Sequence, residues 1–186
     1  MMSRSTVKSL APILALGLFV TGAWAEVVSG LAPGSPTPAM PVLDVTGPYA
    51  GKRTCYVCEF KNDPNVIAFF RDADDQTADL IVQLDKLYRQ EKKNNFKAVA
   101  ILVAGPDAKT WLQELSKSHK IEIPLVVLAK GPQDVGIRLY KIDPKVRNTF
   151  LVTRNRAVEA NVANLGPGDF DRVKKATAGV LAKSRT

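Results

Sequence analysis

From Asn65 onward, continuous apolar runs alternate with segments of helical spacing. Asn65-Val66-Ile67-Ala68-Phe69-Phe70 follows Pro64 without a polar break, as in a strand buried on both faces. Asp72-Ala73-Asp74-Asp75 comes next, and acids at this point cap a helix and favour its positive end. Leu80, Ile81, Leu84, Leu87 and Tyr88 then recur at helical spacing, predicting a helix to about Lys92. Phe96–Ala104 predicts a second buried strand, broken by Gly105-Pro106-Asp107 before a helix with Trp111, Leu112 and Leu115 on one face. Ile123–Ala129 predicts a third strand, followed by a loop at Gly131-Pro132 and a short helical turn over Val135–Tyr140. Thr149–Thr153 and Ala157–Val162, joined through Arg154-Asn155-Arg156, predict an antiparallel hairpin, and an amphipathic helix fills Asp169–Ala182. This order describes an α/β sandwich, with a mixed central sheet and helices on both faces.

The chain ahead of this pattern reads differently. Arg4 and Lys8 precede the apolar stretch Leu10–Val20, and Ala23-Trp24-Ala25 forms an A-x-A cleavage pattern. Residues 1–25 are thus expected to be a signal peptide, Glu26 the mature N-terminus, and the protein exported to a periplasmic or extracellular space. The apolar stretch falls short of the ~20 residues of a comfortable membrane span, and no later run is long enough to cross a bilayer. Pro33, Pro36, Pro38, Pro41 and Pro48, with Gly30, Gly34 and Gly47, make residues 26–50 read as a linker, in which Val42-Leu43-Asp44-Val45 can add a short edge strand. A domain over residues 51–186 follows.

The formal net charge is +8. The cations are scattered among acids, the densest groups being Lys92-Lys93, Arg154-Asn155-Arg156 and Lys174-Lys175. No basic stripe interleaved with aromatics appears, so nucleic acid is not an expected partner. Gly131-Pro132 and Gly166-Pro167-Gly168 are loop punctuation rather than phosphate-binding patterns, and no cofactor is expected.

The segment Tyr140-Lys141-Ile142-Asp143-Pro144-Lys145-Val146-Arg147-Asn148-Thr149-Phe150-Leu151-Val152 resembles the thioredoxin-like superfamily, in which a short helix leads into the fourth strand and a hairpin follows. The resemblance spans roughly residues 53–183. It implies the thioredoxin-like fold for an exported domain. Arg147 stands where thioredoxins place a cis-proline, and it is similar to the arginine that peroxiredoxins carry before that strand. The family's reactive CxxC opens the helix after the first central strand, and peroxiredoxins put a Thr-x-x-Cys there. Here that place is held by Arg71-Asp72-Ala73-Asp74-Asp75. Neither activity transfers residue by residue. Arg147 beside this vacated corner is expected to bind an anion or to pair with Asp72 or Asp74.

The only cysteines, Cys55 and Cys58, lie before the central strand, in Thr54-Cys55-Tyr56-Val57-Cys58-Glu59-Phe60. On a regular strand residues three apart are about 10 Å apart and point to opposite faces, whereas a disulfide needs Cα atoms within roughly 7 Å. A strand here forbids the bridge and a turn permits it. Four readings stay open: a local structural disulfide, a redox-active dithiol, a metal or cofactor site, or unpaired thiols. Export favours a disulfide. Lys52 and Arg53 are the cations that would favour a thiolate. Zinc wants about four ligands, and the chain offers two cysteines and His119, so no metal is expected. Haem attachment would need histidine where Glu59 stands. His119 reads as a surface or helix-capping residue. Asp72, Asp74 and Asp75 read as helix-start chemistry before a cation site. The expected role is a binding or scaffolding module with a structural cysteine pair and a protein partner in the cell envelope. The other reading is a thiol–disulfide oxidoreductase using a displaced CxxC.

Overall fold

The computed structural model describes residues 28–183. The expected signal peptide and its cleavage site lie outside the described residues. The elements are β1 (Val42–Asp44), β2 (Arg53–Thr54), α1 (Tyr56–Phe60), β3 (Asn65–Phe70), α2 (Asp75–Glu91), β4 (Lys97–Leu102), α3 (Lys109–His119), β5 (Leu125–Val127), α4 (Val135–Leu139), β6 (Asn148–Arg154), β7 (Ala157–Ala163) and α5 (Asp171–Lys183). One seven-stranded sheet runs β2-β1-β5-β4-β3-β6-β7. β3, β4 and β5 are parallel, and β1, β6 and β7 supply antiparallel pairings.

Strand alternation sorts the central strand between two cores. Val66, Ala68 and Phe70 face a cluster built with α2, α3 and α5, including Leu80, Leu84, Leu112 and Val173. Ile67 and Phe69 face the other cluster, with Tyr56, Val57 and Phe60 of α1 and with Leu31, Met40 and Tyr140. Phe150 packs edge-on against Phe70 and Phe170, with centroids 5.5 and 5.9 Å apart. The hairpin β6–β7 turns through Asn155 and Arg156, both at positive φ (52° and 58°), the signature of a two-residue turn that matches strand twist.

The composition-based reading of residues 26–50 as a linker is corrected. Residues 29–45 form a strap along the second core. Leu31, Met40 and Val42 are buried. The Gly34 amide donates to the Val158 carbonyl at 2.7 Å, the Val158 amide to Ser35 at 2.9 Å, and Pro36 bridges Ala157. Tyr140 donates its hydroxyl to the Pro38 carbonyl at 2.7 Å, and Asn161 Nδ2 donates to the carbonyls of Ser29 and Leu31. At Gly30 (φ 93°) a Cβ would lie 2.7 Å from the Thr149 methyl, so only glycine lets the strap approach β6 this closely. The prolines remove amide donors, yet the strap's carbonyls at Ser29, Leu31, Ser35 and Pro38 still find partners. The strap ends in β1, which lies inside the sheet between β2 and β5 rather than at its edge.

Candidate functional site

β2 ends at Thr54, and the chain then turns into α1. Cys55 is the N-cap, with extended backbone (φ −122°, ψ 92°). Its carbonyl accepts from the amides of Cys58 at 2.9 Å and Glu59 at 3.0 Å. This helical turn replaces the extended geometry that would have kept the thiols apart. It brings the Cα atoms to 5.2 Å, and a disulfide joins Cys55 and Cys58. Both cysteines are half-buried. The Cys58 amide also donates to Cys55 Sγ at 3.2 Å, a contact that favours negative charge on that sulfur.

The floor of the site comes from the strap. Asp44, 1% exposed, accepts from the amides of Gly47 at 2.7 Å and Tyr49 at 2.8 Å, and from the Tyr56 hydroxyl at 2.6 Å. A buried carboxylate is tolerated only when it is satisfied in this way. Burial first, then the bond to Asp44, push the Tyr56 hydroxyl far above the ordinary phenol range. Gly47 is required in this corner, since a Cβ there would meet the Tyr56 hydroxyl at 2.3 Å. Tyr49 sits against Tyr56 with centroids 6.2 Å apart. The Glu59 charge, then burial and a hydrogen bond to Glu59, raise the Tyr49 hydroxyl. Asp44, Tyr49 and Tyr56 were not singled out from the sequence. Tyr56 lies between the cysteines, but nothing local marks Asp44, twelve residues from it, as its partner.

The second candidate cluster lies elsewhere. Asp74 caps α2, with Oδ1 accepting from the Thr77 amide at 2.8 Å. Arg147 donates a guanidinium hydrogen bond to Asp74 Oδ2. Burial would raise the Asp74 carboxyl, but the Thr77 bonds and the Arg147 guanidinium outweigh it and hold the group below the usual carboxylate range. Asp72 does not join them; it pairs with Arg71 at 2.7 Å. The Arg71 amide donates to the Arg147 carbonyl at 2.9 Å, which seats the loop before β6 against the end of β3. No cis peptide bond occurs among the described residues. Beside this corner lies a mostly apolar cavity of about 30 Å³, with Phe69, Ile142, Val146 and Thr149 in its wall, room for little more than a water.

The structure does not bring the two clusters together. β2 and β3 are separated by β1, β5 and β4. Register places Thr54 level with the end of β3, so both clusters lie along the same rim of the sheet, four strand steps apart. His119 ends α3, exposed, where a cation is favoured by the helix dipole. No group of three or more His, Cys, Asp or Glu residues arranged to hold a metal occurs among the described residues.

Solved structures share this architecture. A Chlorobium tepidum protein assigned as the thiol:disulfide interchange protein DsbE superposes with a TM-score of 0.66 at 15% identity, over 81% of this chain and 99% of its own. The fold is thioredoxin-like. The peroxidoxin BcpB of Mycobacterium tuberculosis gives 0.64 at 17% identity, over 83% and 98% of the two chains. A secreted Mycobacterium tuberculosis disulfide oxidoreductase homologous to E. coli DsbE gives 0.57 at 12% identity, over 76% and 96%. No protein-family model matches the chain, and no curated protein sequence does. Against this thioredoxin-like frame, α2 is the helix that opens after the central strand. Its N-cap is the carboxylate of Asp74, and the cysteines sit on α1 instead.

Proposed function

We propose that this thioredoxin-like protein exchanges thiols and disulfides through Cys55 and Cys58. The observation that carries the reading is the half-exposed local disulfide whose Cys55 sulfur receives the Cys58 amide. A substrate thiolate attacks Cys55 Sγ, and the bond to Cys58 breaks with its electron pair leaving on Cys58 Sγ. A second substrate thiolate then attacks the substrate sulfur of the mixed disulfide and expels the Cys55 thiolate. The substrate's two thiols become one disulfide, and the protein's disulfide becomes two thiols; the reverse sequence reduces a substrate. The amide at Cys55 Sγ stabilises the expelled thiolate.

The Ala23-Trp24-Ala25 pattern supports export, and an oxidising compartment supplies the conditions in which such a pair cycles. A protein of the cell envelope is the partner class this reading requires. Among the described residues no helix is long and apolar enough to cross a membrane.

The ion pair in the α2 corner supports a second reading. Asp74 and Arg147 occupy the place where this fold carries its reactive group, which favours a binding module whose disulfide only staples β2 to α1. A redox titration of the purified protein against glutathione, with alkylation and intact mass as readout, separates the two. A midpoint near about −200 mV supports exchange; one at roughly −300 mV or below supports the staple.

A further inference from the structure

β2 is the outermost strand on its side of the sheet. Val42 lies opposite Thr54 and Leu43 opposite Arg53, and the Asp44 amide donates to the Lys52 carbonyl. In an antiparallel ladder this alternation turns the Thr54 amide and carbonyl toward β1, and those of Arg53 away from it. The Arg53 backbone groups therefore point off the sheet. Cys55 keeps extended backbone, so its amide points off the same edge, while its carbonyl is taken by α1. Such an edge is a template for another extended chain.

The charge beside this edge has one sign left over. Lys52 and Arg53 are exposed and form no ion pair among the described residues. Of the acids nearby, Asp44 is buried under its three donors, and the exposed Glu59 leaves the two cations in excess. Tyr49, 38% exposed, adds an aromatic surface.

We propose that β2 docks an extended, acidic polypeptide segment carrying a cysteine, and that the pairing sets this cysteine against Cys55. The proposal rests on the exchange reading above. Residues opposite each other in a bonded antiparallel pair have Cα atoms about 5.5 Å apart, inside the roughly 4.4–6.8 Å that a disulfide spans. A segment bonded to Arg53 therefore presents the residue two positions along at bridging distance from Cys55. Its thiolate attacks Cys55 Sγ, the electron pair of the broken bond goes to Cys58 Sγ, and that sulfur takes a proton from water. Lys52 and Arg53 meet the segment's carboxylates.

The test uses the full chain with Cys58→Ser, whose single thiol attacks a peptide cysteine capped as its thionitrobenzoate disulfide. The released coloured thiolate gives the rate. Three peptides are compared: an acidic extended one with its cysteine two residues from a valine, the same peptide N-methylated at that valine, and the same sequence with lysines for glutamates. The acidic peptide is expected to react about tenfold faster than either relative, and its advantage over the lysine peptide to shrink with added salt. Arg53→Glu is expected to weaken or reverse the preference between the acidic and lysine peptides. Equal rates for all three peptides would overturn the docking while leaving exchange intact. A wild-type disulfide that glutathione cannot open would remove both.

Discussion

The Tyr56 hydroxyl donates to Asp44 at 2.6 Å, tying the residue between the two cysteines to the strap that forms β1. Tyr56→Phe keeps the ring and its packing but leaves Asp44 with only its two amide donors. A loss of about 1–3 kcal/mol is expected, read from urea denaturation at unchanged m-value.

Tyr56 and Tyr140 both have hydroxyls raised above the ordinary phenol range, chiefly by burial. The folded protein holds these protons more tightly than the unfolded chain. Their contribution to stability is therefore complete below pH ~10 and is lost as pH rises beyond it. Ultraviolet titration should show Tyr56 and Tyr140 silent until the protein unfolds in base; ionisation of all four tyrosines in a folded protein would contradict the packing described.

Asp74 runs the other way. Its folded carboxyl releases its proton more readily than the unfolded one, so its contribution is present above the ordinary carboxylate range and is lost as pH falls below about 4. Asp74→Ala should cost about 1 kcal/mol near neutrality through the lost cap, and should flatten the acid limb of the stability profile. Arg147→Ala should cost less, about 0–1 kcal/mol, because the pair is partly solvated (43% and 34% exposed side chains).

Cys58→Ser should trap a mixed disulfide with a partner on Cys55, visible by intact mass. Cys55→Ser should form none through the attack described, since the sulfur that receives the amide is gone. Equal trapping by both variants would assign no special role to Cys55.

Phe150 is fully buried and packs against Phe70 at the end of β3 and Phe170 just ahead of α5. Phe150→Ala should cost about 3–5 kcal/mol, the range for a large core cavity, measured by thermal or urea unfolding.

Most of the fold was legible because its signals are local. The run Asn65–Phe70 and the spacing of Leu80, Ile81, Leu84 and Leu87 identify β3 and α2 within a residue or two of their bounds. The strap was not legible, because proline and glycine content reports only what a segment does alone. Its order comes from Tyr140, Val158 and Asn161, all more than a hundred residues further along. The cysteine site was half legible. The spacing permits a bridge, but whether Thr54–Phe60 extends or turns depends on α1 burying Tyr56, Val57 and Phe60 under the sheet. At the α2 corner the sequence leaves Arg147 a choice between an anion, Asp72 and Asp74; Asp72 is held by Arg71, its chain neighbour, and Arg147 pairs with Asp74.

The strap also sets an order of events. Gly34, Ser35 and Thr37 are made more than a hundred residues before their partners Arg156 and Val158. Contacts so distant in sequence close late. The Cys55–Cys58 bridge encloses only two residues and waits for none of them. A folding chain can therefore close the bridge before the strap is laid over the second core, and the half-exposed sulfurs stay open to exchange afterwards.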